Sequence, residues 1–392
     1  MRDDLFSGKR QDQSVEDAID WLRLIRSRRV GPTTFWRMLA EHGSAGAALK
    51  ALPEVARSAG VPDYTPCPEG VVLAEMRAAR AAGARLITGA MPSYPAGLRD
   101  LPDAPPVLWV MGDAGLLARP MVAIVGARNA SSLGTRMARR LAIGLVEAGY
   151  VVVSGLARGI DGAAHEAALL SGATVAVQAG GVDVIYPPEN AGLAAEIAAR
   201  GLRLSEQPPG VQPLARHFPL RNRLISGLAR AVIVVEAAAR SGSLITAKDA
   251  LDQGREVLAV PGHPVDARAA GCNMLIRDGA TLVRGPEDVI EMLGKADRTQ
   301  VGPRPEATPQ PGALREGPAP RPARPNPPER AAPQTAALHR QILDRLGPSP
   351  LAEDQLIRDL ALPAAEIAPQ LLELELEGRI QRQAGGLLAR LN

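Results

Sequence analysis

From Met121 onward the chain alternates short, largely apolar segments with longer segments whose apolar residues recur at helical spacing. The apolar segments are MVAIVG, YVVVSG, TVAVQAG, LRLSEQ, AVIVVEA, EVLAVPG and TLVRG. A strand that helices cover on both faces is apolar along its whole length, whereas a half-exposed strand alternates. The pattern therefore predicts an α/β domain over residues 84–295, built on a Rossmann-like, doubly wound and mostly parallel sheet.

The region before this domain, residues 1–83, has the spacing of short helices, with a Gly-Pro turn in RLIRSRRVGPTTFWRMLAEHG. One interpretation is a SAM-like or helix-hairpin-helix unit whose loop amides can hold a phosphate. The other is a helical packing domain whose core is filled by Trp21, Phe35 and Trp36, and we favour it. Residues 84–118 predict a strand, a Pro-rich connection and a second strand that leads into the main domain.

The C-terminal part of the chain divides into a linker and a small domain. Residues 301–335 contain eleven prolines and almost no large apolar side chains, so burial cannot offset their ordering entropy and we predict a Pro-rich linker over residues 296–335. Residues 336–392 predict helices in LHRQILDRL and EDQLIRDL, a third helix that ends near Gly378, and a two-stranded wing. This is the pattern of a winged helix. Its third helix, AAEIAPQLLELELEGR, is acidic, which favours protein contact or packing over duplex binding.

Composition narrows the class of protein. The 392 residues include 45 Lys and Arg against 42 Asp and Glu, and residues 119–295 hold 19 of the basic and 16 of the acidic ones. This mild basic bias suits a local anion site better than a surface coated in duplex DNA.

No apolar run is long enough for a membrane span, and MRDDLFSGKRQDQS lacks the apolar core of a signal peptide, so we expect a cytoplasmic protein. Cys67 and Cys272 lack a metal-ligand or disulfide pattern, and no metal or cofactor is expected.

Polar, Gly-rich loops follow three of the predicted strands. The residues of interest are Gly126, Arg128, Ser131, Ser132 and Thr135 after the first strand, Ser154, Gly155, Gly159 and Asp161 after the second, and Arg240, Ser241, Gly242 and Ser243 after the fifth. The hydroxyls of the first loop can cap the start of a helix, and Asp161 is expected at an N-cap. Because the carboxyl ends of parallel strands meet at one edge of a sheet, the loops predict a convergent anion site made of amides and helix N-termini.

Two kinds of enzyme compete with this interpretation. NAD binding is disfavoured because the first loop, Gly126-Ala127-Arg128, lacks the second glycine of the dinucleotide fingerprint, and the second strand ends in Ser154-Gly155 rather than in an acid. A triad of Ser154, Asp161 and His165 is disfavoured because SGLARGIDGAAH is not a nucleophile elbow. Asp161 and His165 are more simply explained as structural residues of one helix.

The segment ARHFPLRNRLISGLA places Phe218 beside Arg216, Arg221 and Arg223 where a helix begins. The ring either plugs the edge of the sheet while the arginines are solvated, or forms a platform on which a base of a single strand stacks. In the second case Arg221 and Arg223 clamp phosphates and Asn222 caps or orients. Composition alone leaves both possibilities open.

Six ordered blocks resemble the DNA-processing protein A family (DprA, also called Smf). They are VAIVGARNASSLG, VVSGLARGIDGAAHEAAL, TVAVQAGGVDVIYPPEN, SEQPPG, HFPLRNRLISGLARAVIVVEAAARSGSLITA and REVLAVPG followed by AGCNMLIRDGA. The resemblance is dense over residues 121–285, and the helical N-terminus and winged helix fit the larger family architecture. It implies a bacterial protein without catalytic activity that binds and protects incoming single-stranded DNA in natural transformation. It further implies that the protein loads the recombinase RecA and forms a homodimer through the Rossmann-like domain.

The resemblance also implies roles for particular residues. Arg128 would touch the DNA backbone, Phe218 would contact a base, and Arg221 and Arg223 would line the same pocket. The complete set of predicted DNA-binding residues is Gly126, Arg128, Ser131, Ser154, Gly155, Arg158, Arg216, Phe218, Arg221, Asn222, Arg223, Arg240, Ser241, Gly242, Ser243 and Lys248. Some relatives have a lysine where this chain has Ala215, next to Arg216, so that the charge is either displaced by one residue or weaker here. No sequence block marks the RecA or dimer surface.

Two alternatives have weaker support. The main domain resembles, more distantly, the lysine-decarboxylase-like phosphoribohydrolases that act on nucleoside monophosphates. Those enzymes carry a Pro-Gly-Gly-x-Gly-Thr loop, whereas AVPGHPVD lacks the second glycine and the Gly-Thr pair. A duplex-binding regulator that uses the winged helix conflicts with the acidic character of that module.

Overall fold

The computed structural model describes residues 15–294, 332–346, 350–383 and 387–391. The chain divides into two compact units, residues 1–298 and 299–392, and each is described by itself. Most of the predicted linker, from residue 296 to 331, lies outside the described residues, as do residues 1–14. The predicted domain boundary at residues 83 and 84 stays a prediction.

The first unit begins with four helices: α1 (Val15–Arg26), α2 (Pro32–His42), α3 (Ala45–Ser58) and α4 (Glu69–Ala81). Gly31 and Pro32 begin α2, and Gly43, at φ 77°, ends it in the left-handed conformation that favours glycine. The rings of Trp21, Phe35 and Trp36 pack together with centroids 5.0–5.7 Å apart. The prediction that these three aromatic residues fill the core of the helical region is therefore confirmed.

The rest of the first unit is a nine-stranded sheet with helices on both faces. Its strands are β1 (Arg85–Thr88), β2 (Val107–Gly112), β3 (Met121–Gly126), β4 (Val151–Ser154), β5 (Thr174–Val177), β6 (Leu202–Ser205), β7 (Ala231–Val235), β8 (Glu256–Ala259) and β9 (Thr281–Leu282). Its helices are α5 (Ala96–Arg99), α6 (Ser132–Glu147), α7 (Ile160–Leu169), α8 (Ala191–Arg200), α9 (His217–Leu228), α10 (Ser243–Asp252), α11 (Ala270–Arg277) and α12 (Pro286–Leu293). All seven strands predicted from the apolar segments are present.

The strand order is β1-β2-β6-β5-β4-β3-β7-β8-β9. The seven strands β6-β5-β4-β3-β7-β8-β9 all run parallel. The other two strands are antiparallel to their neighbours: β2 pairs with β6, and β1 pairs with β2. Strand β3 is the first of the parallel set, and the chain builds outward from it on one side before crossing to β7 on the other. The crevice between the ends of β3 and β7 is therefore the topological switch point, where a sheet of this kind binds its ligand.

The described residues of the second unit form a winged helix. They comprise α13 (Ala332–Arg345), β10 (Leu351–Ala352), α14 (Glu353–Leu360), α15 (Ala364–Leu376), β11 (Ile380–Gln383) and β12 (Leu387–Arg390). The three strands are ordered β10-β12-β11, and Ile342, Leu371 and Leu388 are fully buried between helices and sheet. The predicted three helices and wing are confirmed, although the wing tip, residues 384–386, lies outside the described residues. In the part of the chain that the structure describes, no helix combines the length and the apolarity that crossing a bilayer takes.

Candidate functional site

A cavity of about 640 Å³ opens at the switch point between β3 and β7. Residues 125–129 at and after the end of β3, the first turns of α9 and residues 238–246 after β7 form most of its wall. The loop after β4 contributes Ala157, and the first turn of α7 contributes Asp161. The structure thus brings the three Gly-rich loops together at one place. Of the predicted site residues, those that line the cavity are Gly126, Arg128, Phe218, Arg221, Asn222, Arg240, Ser241, Gly242 and Ser243.

The loop after β3 is held against the end of β7. Ser131 caps α6 by accepting a hydrogen bond from the Gly134 amide at 3.0 Å. The Ser131 amide donates to the Glu236 carboxylate at 2.8 Å, and its hydroxyl donates to the other carboxylate oxygen. Ser131 is buried and its hydroxyl is engaged, so it shapes the loop and does not face the cavity. The sequence did not predict this role for Glu236, whose backbone has a φ of 54°.

Phe218 lies at the mouth of the cavity among charged groups. The guanidinium carbons of Arg128 and Arg221 lie 5.4 Å and 5.9 Å from the centroid of its ring, within cation–π range. The ring of Tyr186 meets it edge-on with centroids 5.8 Å apart. The Phe218 side chain is half-buried and belongs to none of the apolar cores of the described residues. This environment favours the platform over the plug.

Arg221 is the buried charge of the site. Only 6% of the residue is exposed, and its guanidinium lies directly over Gly155, where a Cβ atom would stand 1.2 Å from Nη1. Burial lowers the pKa of Arg221, and the nearby Asp161 opposes that shift. Burial likewise raises the pKa of Asp161, which Arg221 and the loop amides counteract. The position of the Arg221 guanidinium therefore depends on a glycine at residue 155 and a carboxylate at residue 161.

The expectation that Asp161 is an N-cap is wrong. Gly159 is the N-cap of α7, and Asp161 lies in the first turn, where it accepts hydrogen bonds from the Gly155 and Ala157 amides at 3.1 and 3.3 Å. Gly159 has a φ of 74°, and a Cβ there would come within 2.3 Å of the Ala127 carbonyl oxygen. Close approach of the first two loops thus requires glycine at the cap, and Asp161 braces the loop from inside the helix.

The predicted basic residues fall into two groups. Arg128, Arg221 and Arg240 line the cavity, and none of them forms a hydrogen bond or a salt bridge with a described residue. The others lie outside the cavity lining: Arg158 pairs with Glu189 at 2.5 Å, Arg223 with Asp103 at 3.3 Å and Glu206 at 2.5 Å, Lys248 with Asp252 at 2.5 Å, and Arg216 is exposed at the start of α9. Arg223 is buried and pairs with two carboxylates, so the structure turns it away from the pocket where the sequence had placed it.

The three residues of the disfavoured triad each have a structural partner. The Ser154 hydroxyl is fully buried and donates to the Ile124 carbonyl oxygen at 2.6 Å. His165 Nδ1 lies 2.7 Å from the Thr174 hydroxyl, which itself donates to the Val152 carbonyl oxygen. Burial lowers the pKa of His165 to about 3, so the ring is neutral. The His165–Thr174 contact ties helix α7 to β5, and the Ser154 hydroxyl ties β4 to β3.

Sequence reasoning missed some residues of the site. Tyr186 touches Phe218, and Arg268 lines the cavity while it pairs with Asp266 at 3.0 Å. An aromatic residue in the block VIYPPEN was the available signal for Tyr186. Neither contact follows from sequence spacing, because the partner residues come from separate loops.

The fold and the cavity define a class: α/β proteins with a ligand-sized cavity at the switch point of a parallel sheet, here lined by three arginines and without a dinucleotide fingerprint. Within that class, the family model described as DNA recombination-mediator protein A matches residues 85–294. Models of the DprA-like N-terminal HHH domain and the DprA winged helix domain match residues 15–78 and 326–386. The first of these matches confirms the helix-hairpin-helix interpretation of the N-terminal region over the plain packing domain that we favoured. The chain belongs to this family of DNA recombination mediators, which confirms the resemblance.

Individual relatives agree with the family models. The chain is 38% identical over 312 residues to protein Smf of Synechocystis sp., covering 75% of this chain and 77% of the relative. It is 49% identical over 198 residues to DNA processing protein DprA of Streptococcus pneumoniae, covering 50% and 70%.

Two solved structures resemble the fold. The X-ray structure of DprA from Streptococcus pneumoniae superposes with a TM-score of 0.55 at 35% identity, covering 71% of this chain and 93% of that one. A structure of DNA processing protein A from Helicobacter pylori, described in terms of its single-stranded DNA binding mode, gives 0.50 at 32% identity, covering 54% and 95%. The predicted fold class is confirmed.

Proposed function

We propose that this recombination mediator binds single-stranded DNA in the switch-point cavity, with phosphates on Arg128, Arg221 and Arg240 and a base on Phe218. The proposal includes the activities that the family resemblance implies: protection of incoming DNA in natural transformation, loading of RecA, and homodimerisation through the Rossmann-like domain. It places the protein in the cytoplasm and assigns it no catalytic step. Support for the last point comes from Ser154, Asp161 and His165, whose polar atoms serve the fold.

The observation that carries the proposal is a cluster of three arginines that share a single nearby carboxylate, Asp161. Three guanidinium groups line one cavity, and the described part of the chain offers none of them a hydrogen bond or a salt bridge. A charge as buried as that of Arg221 is costly unless a partner is supplied. A phosphate accepts charge-assisted hydrogen bonds from arginine in a bidentate geometry. Each such bond contributes about 1.5–3 kcal/mol, which is enough to order a flexible ligand.

Phe218 explains why the ligand is a single strand. A half-buried ring in a concave site can be reached by a base that has left its stack, whereas the bases of a duplex are paired and stacked on each other. Stacking on an aromatic side chain contributes about 1–3 kcal/mol per base and tolerates any sequence. The cavity, at about 640 Å³, is of the size that holds a small ligand and accommodates a nucleotide or two rather than a helix.

Backbone groups complete the site. Helix α10 begins at Ser243, with Ser241 and Gly242 in the cavity wall, so the positive end of the helix dipole faces the ligand. The hydroxyls of Ser241 and Ser243 lie 2.7 Å apart and hold this turn in shape. The turn at residues 241–243 allows the backbone of a DNA strand to pass close to it.

The test is a fluorescence-anisotropy titration of the full chain with a labelled oligodeoxynucleotide, using unlabelled duplex and mononucleotide as competitors. We expect the single strand to compete far better than the duplex. Arg128→Ala should weaken binding by about tenfold or more, because it removes a contact of about 1.5–3 kcal/mol to a phosphate. Phe218→Ala should weaken binding by about fivefold or more, because it removes a contact of about 1–3 kcal/mol to a base.

Lys248→Ala is the matched control, since Lys248 is exposed, paired with Asp252 and outside the cavity. We expect it to bind as the wild type does. Equal losses in Lys248→Ala and Arg128→Ala would contradict the site assignment. Binding of the mononucleotide without binding of the strand would instead indicate a small-molecule pocket and direct the search to hydrolase activity.

Salt dependence gives an independent measurement of the phosphate contacts. For single strands, the slope of log K against log salt concentration is about −0.7 for each phosphate neutralised. Arg128→Ala should therefore make the slope less negative by about 0.7, and Phe218→Ala should leave it unchanged because a ring neutralises no phosphate. A slope that is the same in wild type and Arg128→Ala would remove Arg128 from the phosphate contacts.

A further inference from the structure

Phe218 and Arg221 line two cavities at once. Arg128 belongs to the large cavity, whereas a small groove on the other side of the pair is lined by Gly155, Gln178, Ala179, Gly180, Val184, Tyr186 and Pro213. The volume of this groove is about 10 Å³, which is too small for a base. Any ligand on this side must therefore lie outside the groove, against the exposed parts of its lining, where Tyr186 is the second aromatic side chain besides Phe218.

Tyr186 has an unusual amount of free surface for an aromatic residue beside a buried site. It is 48% exposed, and its hydroxyl forms no hydrogen bond with a described residue. Its ring contacts Phe218 with centroids 5.8 Å apart and an interplanar angle of 61°. Contact with Phe218 thus covers one edge of the Tyr186 ring, and much of the rest of the ring is exposed to solvent.

The backbone that carries Tyr186 is fixed to the site. Four residues further on, the Asn190 side chain donates hydrogen bonds to the carbonyl oxygens of Leu156 at 2.8 Å and Ala157 at 3.1 Å. These residues belong to the loop whose Gly155 and Ala157 amides are held by Asp161. Tyr186 is therefore positioned by the same loop that positions Arg221, rather than by a mobile surface segment.

We propose that Tyr186 is a second stacking position, which holds the nucleotide next to the one on Phe218, so that the site engages at least two successive nucleotides. The inference rests on the proposed single-strand binding and adds to it a second base subsite. Proteins that bind single strands without sequence preference place successive bases on successive aromatic side chains beside a basic groove. Phe218 and Tyr186 are adjacent rings of this kind, and Arg221 serves the strand between them.

The test compares ligands that can and cannot reach both rings. Full-length wild type, Phe218→Ala, Tyr186→Ala and Tyr186→Phe are titrated with thymidine monophosphate and with oligodeoxythymidylates of increasing length. We expect Tyr186→Ala to weaken oligonucleotide binding by about fivefold to a hundredfold, the size of one stacking contact, and to leave the mononucleotide unaffected. Tyr186→Phe, which keeps the ring, should bind as the wild type does.

Other outcomes would overturn the inference in distinguishable ways. If Phe218→Ala loses oligonucleotide binding while Tyr186→Ala retains it, the second subsite is refuted and the proposed function stands. If Tyr186→Ala weakens the mononucleotide as much as the oligonucleotide, Tyr186 only supports Phe218, and the second subsite is again refuted. If wild type binds no oligonucleotide, the proposed function fails and the inference fails with it.

Discussion

Gly155→Ala is the substitution that tests the geometry of the site most sharply, because it adds one methyl group and removes no charge. A Cβ atom at residue 155 would lie 1.2 Å from Nη1, 2.4 Å from Cζ and 2.9 Å from Nη2 of Arg221. An ordinary van der Waals contact requires 3.4 Å or more. The guanidinium must therefore withdraw by about 2 Å, farther than a hydrogen bond can stretch.

The expected magnitudes follow from that displacement. Loss of one charge-assisted hydrogen bond to phosphate costs about 1.5–3 kcal/mol, so the Kd for single-stranded DNA should rise by about ten- to 150-fold. The loss can be larger because Arg221 also packs against the Phe218 ring at 5.9 Å. The free energy of unfolding should fall by about 1–3 kcal/mol, as for other overpacked sites, and the protein should remain folded.

The assay is anisotropy with a labelled oligonucleotide, together with urea denaturation to measure the free energy of unfolding. Gly192→Ala is the matched control: Gly192 lies in helix α8, and a Cβ atom there meets nothing within 4 Å. It should bind DNA normally and gain up to about 1 kcal/mol of stability from the better helix former. Gly155→Ala is also made in an Arg221→Ala background, where it should change DNA affinity by less than about twofold.

Two results would refute this reasoning. One is wild-type DNA affinity in Gly155→Ala, which would mean that Arg221 binds equally well from a displaced position or does not bind at all. The other is an equal further loss in the Arg221→Ala background, because the methyl group would then act on the DNA directly or through the loop.

Three further predictions test the remaining assignments. Arg223→Ala should lower the free energy of unfolding by about 3–5 kcal/mol, since it leaves the largely buried Glu206 carboxylate, whose side chain is 14% exposed, without its partner. Protein that remains folded should bind DNA normally by anisotropy. Folding lowers the pKa of His165 from 6.5 to about 3, so below pH 6.5 the unfolded ring binds a proton that the folded ring does not. The free energy of unfolding should therefore fall by up to about 1.4 kcal/mol per pH unit as the pH drops below 6.5. In denaturation measurements, His165→Gln should show a flatter dependence of stability on pH. Removal of residues 299–392 should leave the single-strand affinity of the first unit within about threefold of wild type, and a larger loss would move part of the binding site to the winged helix.

Most of the fold could be predicted because the signals are local. A segment such as AVIVV, apolar at every position, is a strand buried on both faces wherever it lies in the chain, and β7 is buried throughout. Ser131 caps α6 as its position before a helical pattern predicted. Asp161 was misplaced because the sequence does not reveal that Gly159 takes a φ of 74° where two loops touch.

The site was predicted less completely because charge pairing depends on distant residues. Arg221 and Arg223 are equivalent in the sequence, two positions apart in one block. In the helix they point to different sides, so that Arg223 meets Asp103 and Glu206 while Arg221 reaches the cavity.

The sequence by itself therefore determined the order of strands and helices, the switch-point loops and the family, because apolar runs, glycines and ordered blocks are properties of neighbouring residues. Only the tertiary structure decided which arginines line the cavity, which are held by carboxylates, and which aromatic ring stands beside Phe218. The physical reason is that burial and ion pairing arise between segments far apart in the chain. The Arg223 side chain donates to a carbonyl oxygen 120 residues away, and such a contact exists only once the sheet has assembled.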